Sequence, residues 1–130
     1  MKKGDMVITA GVWGTIEEEG KAPVLFVTTP ALIKSWGKKK GTVLIGDKMS
    51  KNQIWNPQEN EGKSLFGPEQ KEDAIEYARR RCESGLRFSL GQAKKFGKVG
   101  LGKWLERCIK EKAWETAEII TTDSILAWIN

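Results

Sequence analysis

Apolar residues in this chain repeat with one period in the first part and another in the second, and only a fold with a sheet layer and a helix layer accommodates both. From Asp5 to Thr28 they fall in short β-branched and aromatic runs, Asp5–Ala10, Val12–Glu18 and Ala22–Thr28, punctuated by Gly11 and by Glu19-Gly20-Lys21. These runs read as a β-meander, with Gly14 marking a bulge or bend that curls the sheet. Thr42–Ile45 supplies a further strand, closed by Gly46-Asp47. From Pro68 onward the spacing becomes helical, at Ala74, Ile75, Ala78 and Cys82, then at Leu101, Trp104, Leu105, Cys108, Ile109 and Lys112. The pattern predicts an α+β protein of one domain, as suits 130 residues. A small curled antiparallel, SH3-like sheet occupies residues 1–47, a surface connection residues 48–67, and a mainly helical part packed on the sheet residues 68–130.

Local signals refine this outline. Thr29-Pro30-Ala31-Leu32-Ile33-Lys34-Ser35-Trp36-Gly37 has a Thr N-cap, a Pro at the first helical position and a Gly past the end, which predicts a two-turn helix. The polar stretch Asp47–Gly67 reads as a long connection anchored by Ile54, Trp55, Leu65 and Phe66. The clearest helix begins at Pro68 and stops at Gly85, with Glu69 in its first turn and Arg79, Arg80 and Arg81 in its last, as the helix dipole favours. Leu86-Arg87-Phe88-Ser89-Leu90 alternates apolar and polar and predicts a short strand returning to the sheet. A second helix spans Leu101–Trp114, its other face carrying Lys103, Glu106, Arg107, Lys110 and Glu111 as a solvated surface. Ala117–Asp123 reads as a strand, after which Asp123 caps a last turn containing Ile125, Leu126, Trp128 and Ile129.

Composition then bounds function. An apolar share of 39%, with six Trp and four Phe, is enough for a packed core. No apolar run reaches the roughly 18–20 residues of a membrane span, and Met1-Lys2-Lys3-Gly4-Asp5 is no signal sequence, so a cytoplasmic location is expected. Cys82 and Cys108 lie in helical patterns without metal-ligand spacing and are expected as buried free thiols, with no metal and no cofactor. The chain has no histidine, which removes serine and cysteine triads, imidazole bases and His-ligated metals, and points away from an enzyme.

The 22 Lys and Arg against 17 Asp and Glu give a net charge of +5, which suits an anionic partner. Gly97-Lys98-Val99-Gly100-Leu101-Gly102-Lys103 meets the GxxxxGK part of a nucleotide-binding loop, but Trp104 stands where a magnesium-binding hydroxyl belongs and no buried strand precedes it. The same residues suit simple phosphate contact, with Lys94, Lys95, Lys98 and Lys103 as cations and Phe96 as a base-stacking ring. Arg79, Arg80, Lys38 and Lys39 are further candidate contacts. Ala93 and Gly97 also fall at the small-residue and turn positions of a helix-turn-helix, although Lys98 sits where that motif buries an apolar side chain.

Gly4-Asp5-Met6-Val7-Ile8 followed by Gly11-Val12-Trp13-Gly14-Thr15-Ile16 resembles the opening of small SH3-like barrels, including the KOW type, over about fifteen residues. That resemblance implies RNA binding. Gly4-Asp5 followed by Pro23-Val24-Leu25-Phe26-Val27 is similar to the start of the MazF/PemK ribonuclease toxins, and the rest of the chain does not follow their pattern. Three expectations result: a non-catalytic nucleic-acid-binding or regulatory protein; a protein-interaction module, such as a small inhibitor or assembly factor, using exposed Trp and Leu; and a His-independent ribonuclease.

Overall fold

A computed structural model describes residues 1–13, 18–28, 31–45, 50–55, 57–60 and 65–121. In chain order these form β1 (Met6–Val12), β2 (Val24–Val27), β3 (Ala31–Trp36), β4 (Lys40–Ile45), β5 (Ser50–Trp55), α1 (Pro57–Asn60), β6 (Leu65–Phe66), α2 (Lys71–Lys95), α3 (Val99–Lys110), α4 (Ala113–Thr116) and β7 (Glu118–Ile120). Strands are hydrogen-bonded in the order β5-β4-β3-β1-β2-β7, with β6 on β1. All pairings are antiparallel except β2 with β7, so the sheet is mixed and the protein is α+β. The parallel β2–β7 pair corrects the expectation of an all-antiparallel sheet, and the described strands do not close on themselves, so they do not show the expected SH3-like curl.

β1 organises both sides of this sheet. Its alternating side chains diverge, Val7 joining Ala31, Ile33 and Leu65 in one apolar cluster while Ile8 and Ala10 join Leu25, Val27 and Phe66 in the other. The second cluster is the main core, because α2, α3 and α4 lay Ala74, Ala78, Cys82, Leu86, Leu105 and Trp114 onto it. Leu25, Leu86 and Leu105 are fully buried, each contributing about 1.5–3 kcal/mol of transfer free energy. β2 and β3 pair with successive stretches of β1: Ala10 opposes Val27 and Val7 opposes Ala31, so the four steps from the end of β2 to the start of β3 match three on β1. At this step the buried Thr28 donates its backbone N–H to the Thr9 carbonyl at 2.9 Å and accepts the Thr9 N–H on its hydroxyl at 2.9 Å.

Several elements differ from the sequence expectation. Ala31–Trp36 is a strand rather than a helix, because Ala31 and Ile33 alternate into the smaller cluster while β1 and β4 pair with the backbone on either side. Residues 48–67, expected as connection alone, carry β5, α1 and β6, with Leu65 and Phe66 buried. β1 continues through Gly11 to Val12, merging the first expected strand with the start of the second; Gly14, Thr29-Pro30, Gly46-Asp47 and the Asp123 turn lie outside the described residues. α2 starts at Lys71, after a tight turn in which Gln70 N–H donates to the Gly67 carbonyl at 2.9 Å.

The largest difference is that α2 runs through Gly85 to Lys95, so Leu86–Leu90 is helix and not strand. Leu86, Leu90 and Ala93 continue at i, i+4 and i+7 the stripe begun by Ala74, Ala78 and Cys82, and burial of that stripe outweighs the roughly 1 kcal/mol that each of Gly85 and Gly91 costs a helix. α3 starts at Val99, two residues early, and ends at Lys110. Lys112, expected on its apolar stripe, is exposed with φ 51° and starts α4, which buries Trp114. The other stripe residues are placed as expected, Leu105 and Cys108 buried and Leu101, Trp104 and Ile109 packed at their margin.

Candidate nucleic-acid interface

The basic segment of the sequence becomes the corner between α2 and α3. Phe96 ends α2, Gly97 turns the chain with φ 68°, and Lys98 N–H donates back to the Ala93 carbonyl at 2.8 Å before α3 begins. A positive φ of this kind is a glycine conformation. Gly100 and Gly102 lie inside α3 and not in a phosphate-wrapping loop, so the GxxxxGK string forms no nucleotide-binding loop. Gly102 is buried opposite Ala93, where an added Cβ would stand 4.0 Å from the Ala93 Cβ.

Lys94, Lys98 and Lys103, with Ala93, Gly97, Val99, Gly102 and Glu106, line a groove of about 360 Å³ at this corner. Lys94 Nζ lies 3.4 Å from Glu106 Oε1, while Lys95, Lys98 and Lys103 form no ion pair with a described residue. Lys94 and Lys95 occupy the last turn of α2, where the negative end of the helix dipole favours cations, so their position has a folding reason of its own. Lys98 and Lys103 have none. Lys98 immediately precedes α3, whose first turn contains no acidic residue, and like-signed charge at a helix end is unfavourable by some tenths of a kcal/mol, while Lys103 follows in the second turn.

A negative charge reaches the start of α3 from another element. Trp104 Nε1 donates to the Lys21 carbonyl at 3.0 Å and ties α3 to the β1–β2 turn. That tie sets Glu19 against the start of α3: a Cβ added at Gly100 would stand 2.6 Å from Glu19 Oε2. The Arg107 guanidinium lies over the Trp104 ring, 6.0 Å from its centroid.

The remaining sequence candidates are not gathered here. Arg80 is held in an ion ladder along α2, 2.8 Å from Glu76 and 3.2 Å from Glu83, and Arg87 closes on Glu83 at 3.1 Å. Arg79 is half-buried, with its Nε enclosed and without a hydrogen-bond partner. Lys38 and Lys39 are exposed in the β3–β4 turn. β3 pairs with the first residues of β1 and runs on past them, so its turn lies at the opposite end of β1 from the hairpin turn that touches α3.

Two groups escaped the sequence reading. Phe88 is 69% exposed on α2, beside the expected Phe96 at 66% and Val99 at 67%. Its place off the Ala74–Ala78–Cys82–Leu86 spacing was the available signal, hidden by the alternation that read Leu86–Leu90 as a strand. Glu19 was visible only as part of the Glu19-Gly20-Lys21 turn, since nothing local reports its place beside Gly100.

Cys82 and Cys108 are buried free thiols. Burial, with Cys108 nearby, pushes the Cys82 thiol up to about 11, and burial likewise raises Cys108. Among the described residues no helix is long and apolar enough to cross a membrane, and no three His, Cys, Asp or Glu side chains gather as a metal site requires. No protein-family model, curated protein or solved structure matches this chain.

Proposed function

We propose that this protein is a non-catalytic nucleic-acid-binding protein that contacts phosphates at the α2–α3 corner. The observation that carries this reading is the three-lysine groove at the start of α3, where Lys98 adds positive charge to the positive end of a helix without an acidic residue in its first turn and Lys94 and Lys103 line the same groove. An arrangement that gathers three lysines at a helix N-terminus suits an anion supplied from outside. Phosphate contacts of this kind position a nucleic acid without reading its sequence.

The test replaces Lys94, Lys95, Lys98 and Lys103 together with Gln. All four are exposed, so the variant should fold normally. Affinity for RNA or DNA should fall across sequences, and the slope of log K against log salt should flatten by about 0.7–0.9 for each phosphate no longer neutralised, or roughly 3–4 in all. Wild-type protein that binds neither single nor double strands at low salt would end the proposal, as would a variant whose affinity and salt slope match the wild type.

A further inference from the structure

The exposed aromatic rings extend the interface along α2 and identify its ligand. Arg81, Phe88 and Lys95 are spaced by seven residues, which sets them on one face of the helix about 10.5 Å apart. The positions that flank Phe88 on a helix surface, three and four residues away, are Ser84, Gly85, Gly91 and Gln92. Three of these four are small, and a Cβ at Gly85 or Gly91 would meet nothing within 4 Å. Nothing in the packing therefore requires these glycines, and each weakens α2. What they achieve is to leave both sides of the Phe88 ring uncovered.

Charge on this surface is one-sided. From Arg81 to Lys98 the single carboxylate is Glu83, already held by Arg80 and Arg87, while Arg81, Lys95 and Lys98 form no ion pair with a described residue. The Lys95 ammonium lies over one face of the Phe96 ring, 5.7 Å from its centroid, so a cation and an exposed ring that keeps its other face are found together. An acidic protein would satisfy the cations but leaves two exposed rings without a flat partner, and a duplex keeps its bases stacked inside. Unpaired bases satisfy both features, since every base has a face that stacks on an aromatic ring.

Resting on the phosphate-binding reading above, we infer that the ligand is single-stranded nucleic acid, with bases stacked on Phe88 and Phe96 and phosphates held by Arg81, Lys95 and Lys98. The experiment titrates wild-type protein, Phe88→Ala/Phe96→Ala and Gly85→Leu/Gly91→Leu with a single-stranded oligonucleotide and a duplex of equal length at several salt concentrations. Wild type should prefer the single strand. The Phe double variant should lose tenfold or more on the single strand, with an unchanged salt slope and unchanged duplex affinity. The Gly double variant keeps every charge and both rings but walls in Phe88, and it should lose single-strand affinity as well.

Equal wild-type affinity for the two ligands, or full single-strand affinity in the Phe variant, overturns the stacking inference and leaves phosphate binding standing. Loss of binding to both ligands only in the Lys variant has the same effect. Wild-type protein that sediments as a dimer, while the Phe variant is monomeric and binds single strands normally, would make the rings a protein interface and overturn the inference too.

Discussion

Replacing Gly85 and Gly91 with Ala separates two accounts of residues 86–90 by the sign of the result. In the structure both glycines lie inside α2, outside the positive-φ region, and a Cβ at either meets nothing within 4 Å. Each change then removes only the helix penalty of glycine, about 0.8–1.0 kcal/mol. Six residues of helix separate the sites by about 9 Å, far enough for the effects to add, so the double variant should gain roughly 1.6–2 kcal/mol. For a chain of 130 residues that corresponds to about 5–10 °C in Tm. If instead a helix ended at Gly85, that glycine would take the left-handed conformation beyond the last turn, and Ala there would destabilise by roughly 1–2 kcal/mol. Urea melts followed by far-UV circular dichroism, with m held against wild type, measure the difference. A double variant that is less stable than wild type, at unchanged m, would refute the continuous helix and the exposed Phe88 face built on it.

Two further outcomes probe the core and the corner. Glu19→Gln removes the carboxylate beside the start of α3 while keeping its shape, so affinity for nucleic acid should rise severalfold at low salt and converge with wild type at high salt; titrations that show weaker binding would place the ligand elsewhere. Cys82 is protonated in the folded state up to about 11, above its ordinary 9.0, so its contribution to stability is complete below pH 9 and is lost as pH rises towards 11. Denaturant melts at pH 8, 9.5 and 11 should show a decline that Cys82→Ala makes shallower, and an equally steep decline in that variant would remove Cys82 as its source.

The sequence was most legible where an apolar pattern coincided with burial. The strands β1, β2 and β7 and the α3 stripe of Leu101, Trp104, Leu105, Cys108 and Ile109 follow directly from side-chain period. It was least legible where local signals opposed tertiary pairing. Thr29-Pro30 carries the marks of a helix start, yet Ala31 and Ile33 gain more from the smaller cluster and from ladder bonds on both sides than a two-turn helix offers. β5 is nearly invisible because Ser50-Lys51-Asn52-Gln53 lacks apolar alternation, and its strand form comes from backbone pairing with β4. The candidate site was half legible. Lys94, Lys98 and Lys103 do meet at one groove, but sequence gives no warning that Glu76 and Glu83 occupy Arg80, or that Lys38 and Lys39 belong to the far end of the sheet.

The parallel pairing of β2 with β7 has a consequence for how the chain is made. Val24–Val27 emerges early, and the strand that covers it ends only at Ile120, some 93 residues later. At about 5–20 residues per second, translation leaves the Val24-Leu25-Phe26-Val27 edge open for roughly 5–20 seconds. An uncovered, wholly apolar edge is a template for other strands, so during synthesis the nascent sheet depends on speed of elongation, or on a chaperone that masks β2, to avoid pairing with a neighbouring chain.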